Sequence, residues 1–333
     1  MTPLKMKTTS RWLVALGCAL SLNWASADTP TGEEVLSRVG IPQAQISDLD
    51  SGKAISWKYP ENTEKELADG IAVYVPTPIA KVIAYVKKGN FAGLDSTITA
   101  QGPIPDNATV NTFKRFTLSA DEAQDLLNVE AGSKFNLSAD EIARFAELKG
   151  ADANAATQRY REILLQRYQA YRQGGLGGIA PYARDGDQAD PASELRTATE
   201  RGNAVVKNAF PELFQAWANY PQVLPDGATE QFSWANRVVE DRPTATLTHR
   251  LIQTTDNAAV VLQRQFYVGH SYNSSQLQLG CLPYRDGAII FYALRSSTDQ
   301  VAGIGSGMKH SIGRDRMKAE MVKQLQRLRT TLK

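Results

Sequence analysis

Three side chains able to do chemistry share one strand-like run. From Ala259 to Tyr272 alternate positions carry Val260, Leu262, Arg264, Phe266, Val268, His270 and Tyr272, and the positions between carry Val261, Gln263, Gln265, Tyr267, Gly269 and Ser271. The first set is mostly apolar, so it faces a covered interior, and it brings a guanidinium, an imidazole and a phenol with it. A buried arginine needs a counter-charge or hydrogen-bond acceptors, because an isolated buried charge costs several kcal/mol or more. An apolar wall with a few convergent polar groups has the make-up of a small-molecule site. On that reading Trp234, Arg264, Phe266, His270 and Tyr272 line a ligand cavity, and Tyr292 and Arg295 extend it. Two other roles stay open: Arg264 paired with a structural acid while His270 donates to a backbone carbonyl, or His270 as a base beside Tyr272 in a cyclase- or hydrolase-like site.

Other chemistries are less well served. His249, His270 and His310 are the three histidines, and none has metal-ligand spacing to another histidine or to a cysteine, so no metal site is expected. Gly303-Ile304-Gly305-Ser306-Gly307-Met308-Lys309 follows a strand and precedes a helix but misses the spacing of a phosphate loop, and no G-x-S-x-G elbow occurs. The carboxylate pairs Asp121-Glu122 and Asp140-Glu141 each follow Leu-Ser-Ala, which makes them first-turn residues of capped helices rather than a calcium loop. Cys281 alternates with Leu277 and Leu279 and reads as an inert core thiol. No cofactor is called for.

The elements that position these residues follow from periodicity. Ala54 to Tyr59 and Gly70 to Val75 alternate as strands, and Thr77, Pro78, Ile79, Val82, Ile83, Val86, Lys87, Lys88 and Gly89 spell a capped amphipathic helix. Strands are expected at Ser96 to Ala100 and Val110 to Phe116. Short capped helices start at Ser119 and Ser138, and a long one over Ala153 to Gln173 carries Tyr160, Ile163, Leu164, Tyr168 and Tyr171 on one side. Gly174 to Asp190 is loop-like; Pro191 to Asn208 and Pro211 to Asn219 are helical again. From Gln231 an antiparallel meander is expected, at Phe232 to Val239, Thr244 to Gln253, Ala259 to Tyr272, Gln276 to Leu282 and Ala288 to Ser296. Gly303 to Gly307 links it to a final helix over Ile312 to Leu332, with Met317, Met321, Leu325, Leu328 and Leu332 on its apolar side.

Ile71-Ala72-Val73-Tyr74-Val75-Pro76-Thr77-Pro78-Ile79-Ala80-Lys81-Val82 and the block Thr244 to Leu332 resemble the START-like superfamily, with its strand, "V-x-A-P" turn and helix start followed by a late meander and long last helix. The resemblance covers under half of the chain after residue 27. It implies an α+β helix-grip fold, in which an antiparallel sheet wraps the C-terminal helix and encloses a cavity for lipids, sterols or polyketides. The largely helical stretch from Leu118 to Tyr220 departs from the pattern, being longer than the usual connection. The whole chain also resembles a group of predicted secreted bacterial proteins, with Tyr292, Arg295, Ser296, Ser297 and Asp299 among the similar positions, and this adds no function. The expected plan is a polar segment at 28–52, the first part of a helix-grip core at 53–117, a helical insertion at 118–230, and meander plus C-terminal helix at 231–333.

Residues 1–27 supply an address. Lys5, Lys7 and Arg11 precede an apolar run from Trp12 to Leu22, then Ala25-Ser26-Ala27, the pattern of a secretory signal peptide. The run is about half of the roughly 20 apolar residues that span a bilayer. Secretion across the inner membrane to the periplasm is the expectation. Without the three basic residues of this segment the chain is close to neutral, which disfavours a nucleic-acid partner. One basic region remains, Gly303 to Lys333, which suits peripheral contact of the C-terminal helix with anionic membrane. The expected function is that of a carrier for an apolar or amphipathic, lipid-like molecule, without chemistry. The alternatives are an enzyme using the same cavity and an envelope interaction protein.

Overall fold

The computed structural model describes residues 29–332 apart from positions 90, 133 and 203. The signal-like run of 1–27 lies outside the described residues. In chain order the elements are α1 (Gly32–Arg38), α2 (Gln43–Asp50), β1 (Ile55–Lys58), β2 (Glu66–Val75), α3 (Ile79–Lys88), β3 (Ile98–Pro103), α4 (Ala120–Leu127), α5 (Ala139–Ala146), α6 (Ala153–Gly174), β4 (Tyr182–Arg184), β5 (Asp187–Ala189), α7 (Pro191–Gly202), α8 (Ala204–Ala209), α9 (Pro211–Ala218), β6 (Ala228–Val239), β7 (Arg242–Thr254), β8 (Ala259–Val268), β9 (Ser274–Tyr284), β10 (Gly287–Ser297) and α10 (Ser306–Leu332).

Eight strands form one antiparallel sheet in the order β1-β2-β10-β9-β8-β7-β6-β3. The early strand β2 lies beside the last strand β10, in register from Glu66 opposite Ser297 to Val75 opposite Ala288. Helices α3 and α10 leave this pair and pack on the same face. Val82 and Val86 of α3 and Met321, Leu325, Leu328 and Leu332 of α10 meet Ile71, Val73, Val75, Val261, Leu279, Cys281, Ala288 and Ile290 there. This inner face, the long C-terminal helix and the large helical segment between β3 and β6 make the molecule an α+β protein with a helix-grip-like architecture.

The outer face is covered as well. α1 and α2 pack Val35, Leu36, Ile41 and Leu49 on Tyr74, Ile289 and Phe291, α9 packs Leu213, Phe214 and Trp217 on Leu251, Val260 and Leu262, and α6 packs Tyr160, Ile163, Leu164, Tyr168 and Tyr171 against Trp234, Leu247, Phe266 and Tyr267. A strand covered on both sides reads as a continuous apolar run rather than an alternation, which accounts for Ala288 to Tyr292 being buried without a break.

Local signals explain most element ends. Gly89 closes α3 in the left-handed region at φ 64°, as expected of a residue with no Cβ to clash. Ser119 and Ser138 accept from the backbone N–H of Glu122 and Glu141. Three expectations need correction. Val110 to Phe116 is no strand: Thr109 starts a 3-10 turn at Val110–Phe113, and Phe113 and Phe116, three residues apart, both enter the core. β8 stops at Val268, so His270 and Tyr272 lie in the connection to β9. α10 begins at Ser306, six residues before the expected start. The segment Gly174 to Asp190 is anchored rather than open, with Leu176, Ile179, Tyr182 and Ala189 buried beside α6.

Deleting the Leu325 side chain, 2% exposed between α10 and the sheet, is expected to cost about 2–5 kcal/mol. Ile304→Ser, at a side chain 99% exposed, is expected to change stability by no more than about 0.5 kcal/mol. Urea unfolding of the two variants checks both values; similar losses would mean that α10 is not clamped on the inner face as described.

Candidate functional site

Helix α10 is fastened near its two ends. At its start His310 Nδ1 lies 3.0 Å from Glu61 Oε2, His310 Nε2 lies 2.7 Å from Glu64 O, and Arg314 Nη1 donates to Glu61 Oε1 at 2.9 Å. At its end Thr77 Oγ1 donates to Leu332 O at 2.9 Å, and Arg329 and Arg327 donate to Gly52 O at 2.7 Å and Leu94 O at 3.1 Å. Between these ties the helix and the β6–β8 half of the sheet stand apart and leave a cavity of about 1520 Å³. Leu277, Leu279, Leu294, Met317, Met321 and Phe91 supply apolar lining, and Ser233, Thr246, Thr248, Arg250, Gln263 and Gln265 supply a polar strip from β6, β7 and β8. The lining is therefore amphipathic.

The polar side chains of the lining form four groups. Tyr272 donates to Gln265 Oε1 at 2.7 Å, and Tyr292 donates to Gln324 Oε1 of α10 at 2.9 Å. Burial holds both phenols above their ordinary pKa, with Arg237 opposing the shift in each case. Both are therefore neutral hydrogen-bonding groups at neutral pH. Arg237 pairs with Asp95 at 3.1 Å. Arg250 has neutral partners: Nε and Nη2 donate to Gln263 Oε1 at 3.1 and 2.6 Å, Nη1 reaches Gln231 Oε1 at 3.3 Å and Gly89 O at 3.4 Å, and its guanidinium lies 4.8 Å from the centre of the Phe91 ring. Burial pushes the Arg250 guanidinium down to about 10.

Of the residues picked out from sequence, the structure brings Tyr272 and Tyr292 into this lining and places the other five elsewhere. Trp234, Arg264 and Phe266 belong to the outer face of the sheet, and a bulge breaks the alternation at the end of β8. β7 pairs Leu247 with Tyr267 and Thr248 with Gln265, which leaves Phe266 as the extra residue, and an extra residue reverses the alternation beyond it. Phe266 and Tyr267 both turn outward: Phe266 stacks on Tyr171 with ring centres 4.0 Å apart, and the Tyr267 hydroxyl meets that of Tyr160 at 2.8 Å. Trp234 is on the same outer face and donates to Thr112 O at 3.1 Å. Arg264 is wholly buried there under α6, α7 and α9, donating to Tyr171 Oη at 3.0 Å and Thr199 Oγ1 at 3.0 Å and lying 4.1 Å from the Trp217 ring centre. Its partners are neutral, not the structural acid considered above. Arg295 pairs with Glu66 at 3.0 Å and also donates to Pro60 O.

His270 sits in the turn after β8. Its Nε2 is 2.6 Å from Pro243 O, which can only accept, so Nε2 carries the proton and Nδ1 accepts from Ser271 Oγ at 2.6 Å. This is the carbonyl-bonded role. A second buried histidine, His249, takes part in a chain that sequence reading missed. Arg264 donates to Tyr171, the Tyr171 hydroxyl lies 2.9 Å from His249 Nδ1, and His249 Nε2 lies 3.0 Å from Glu230 Oε1, off the axis of an N–H bond. The chain is packed among Phe232, Tyr220 and Trp217.

Sequence reading also missed Arg250, Thr246, Thr248, Gln263 and Gln265, which line the cavity. One signal was available. Thr244, Thr246, Thr248 and Arg250 alternate with Ala245, Leu247, His249 and Leu251 in the middle of the meander. A polar face on a central strand is unusual where helices follow on both sides.

No family model matches the chain, and no curated protein matches it. Among solved structures, the di-domain ARO/CYC StfQ from the steffimycin biosynthetic pathway aligns over 80% of this chain and 97% of its own, at 12% identity and a TM-score of 0.26. The architecture described above rests on strand order and packing, not on this alignment.

Burial lowers both His249 and His270 from 6.5 to about 4. The folded protein keeps them neutral while the unfolded chain protonates below about 6.5, so the unfolded state binds more protons in this window. Stability is expected to be flat above that pH and to fall as pH drops towards 4, by up to ~1.4 kcal/mol per unit for each histidine. Urea unfolding at pH 7, 6 and 5 checks this. The His249→Gln/His270→Gln double variant should show a shallower decline; an equal slope would remove the histidines as its cause.

Proposed function

We propose that this protein is a carrier that holds an apolar or amphipathic small molecule between its sheet and its C-terminal helix. The cavity carries this reading. At about 1520 Å³ it exceeds the roughly 300–1,000 Å³ that serves a drug-sized ligand, and its lining divides into an apolar and a polar part, as a lipid-like molecule would need. The strand order, with β2 beside β10 and α10 across them, supports membership of the helix-grip class of binding folds. The polar lining includes amides, hydroxyls and two neutral phenols, suited to orienting a ligand, beside charged groups such as Arg250 and the Arg237–Asp95 pair. His270, which the enzymatic alternative needs as a base, is occupied by Pro243 O and Ser271.

Secretion to the periplasm is part of the same proposal and rests on the residue pattern of 1–27. Membrane contact through α10 has less support, because Arg314, Arg316, Arg327 and Arg329 bond to Glu61, Glu240, Leu94 O and Gly52 O.

The test is uptake of Nile red, a neutral apolar fluorophore, by the protein and by a Ser275→Phe/Leu277→Trp variant, whose new bulk enters the cavity. The protein is expected to bind the dye, and the variant to bind at least tenfold more weakly with little change in melting temperature. Equal binding by the two would place the dye outside this cavity and contradict the reading.

A further inference from the structure

Among the described residues Arg250 is the arginine of the lining without an ion pair; Lys88 and Lys309, also in the lining, are exposed. Arg237 has Asp95 and Arg316 has Glu240. Around Arg250 the acceptors are two glutamine amide oxygens and the carbonyl of Gly89 at the end of α3, where the helix dipole and the Phe91 ring give partial compensation. No carboxylate among the described residues is bonded to it, and burial is what lowers it. Arg250 is half-buried and forms part of the cavity lining, so it faces the ligand space.

Its donors are held but not used up. Gln263 takes two N–H groups through one oxygen, and the two Nη1 contacts are long, at 3.3 and 3.4 Å. Of the five N–H groups of a guanidinium, at least one on Nη2 remains. Gln263 and Gln231 both turn their oxygens to Arg250, leaving their NH₂ groups as further donors beside it. A fixed arginine fork flanked by amide donors, with no carboxylate bonded to it, is built for an anion.

We propose that Arg250, with Gln231 and Gln263, binds the carboxylate of a long-chain acid whose hydrocarbon tail lies along Leu277, Leu279, Leu294 and Met321. A single arginine fork with neutral amide donors beside it matches a singly charged carboxylate better than a doubly charged phosphate monoester. This inference rests on the carrier reading of the cavity and names the class of molecule carried.

The experiment compares hexadecanoate, 1-hexadecanol and hexadecyl phosphate as competitors of Nile red at pH 7.5, below their aggregation limits. The protein is expected to prefer hexadecanoate over hexadecanol by at least tenfold and over hexadecyl phosphate by a smaller margin. Arg250→Gln should bring hexadecanoate down to the level of hexadecanol and leave hexadecanol unchanged, and Arg250→Lys should restore part of the preference. Equal binding of acid and alcohol by the unaltered protein would overturn the role of Arg250 while leaving the carrier reading intact. A preference for the acid that survives Arg250→Gln would do the same. Stronger binding of the phosphate would overturn the carboxylate assignment. Failure of all three to displace the dye would overturn both this inference and the carrier reading. Should Arg250→Gln not fold, the Arg250→Lys protein and the ranking of the three competitors still decide the matter.

Discussion

The fastening of α10 at its ends governs where this molecule is solid and where it is hollow. The ladder between β2 and β10 fixes the origins of α3 and α10 on one face of the sheet. The ties from Glu61 and Glu64 at one end, and from Thr77 and Gly52 at the other, then stretch the last helix across that face. Over β2, β10 and the β9 residues next to them the helix packs Met321, Leu325, Leu328 and Leu332 into a close core. Over β6, β7 and β8 it does not close, and the space remains. A sheet left hollow on one face must gain its burial on the other, and here the segment between β3 and β6 supplies it, with a core of stacked aromatic rings from Tyr171, Phe266, Phe232 and Tyr220.

Two arginines without ion-pair partners, Arg264 buried and Arg250 half-buried, show how differently one chemical problem is handled on the two faces. Arg264, outside, is enclosed by Tyr171, Thr199 and Trp217, and through Tyr171 it joins a polar chain that continues to His249 and Glu230. Nothing from solution can reach it. Arg250, inside, is braced by comparable neutral groups but borders an open volume. Burial disfavours the charge in both places, and only on the inner face can a ligand offset it.

Much of this architecture was legible in the chain. The strand, turn and capped helix from Ile71 to Gly89, the serine-capped starts of α4 and α5, the aromatic stripe of α6 and the late meander all state their type through local chemistry. The site was much less legible, and the reason lies in the period-two rule itself. That rule takes the apolar side of a strand as interior, so it points to Arg264 and Phe266 as cavity lining and passes over Gln263 and Gln265. Helices cover both faces here, and the more polar face of β7 and β8 looks onto the cavity. The bulge at Phe266 then reverses the alternation before Tyr272, which reached the cavity for a reason that periodicity could not supply. The volume itself has no local signature, since it is created by contacts between residues more than 200 positions apart, such as Thr77 with Leu332.

The central claim is that the space under α10 is occupied when the protein is at work. Native mass spectrometry of the protein purified without detergent from the cells that make it, followed by solvent extraction and analysis of the extract, tests that claim most directly. A carrier is expected to show a stoichiometric excess mass that leaves on extraction as a single class of amphipathic molecule. A protein that carries no excess mass, and takes up nothing when its own cell's lipid extract is returned to it, would contradict the account and reduce the space to an incidental gap between sheet and helix.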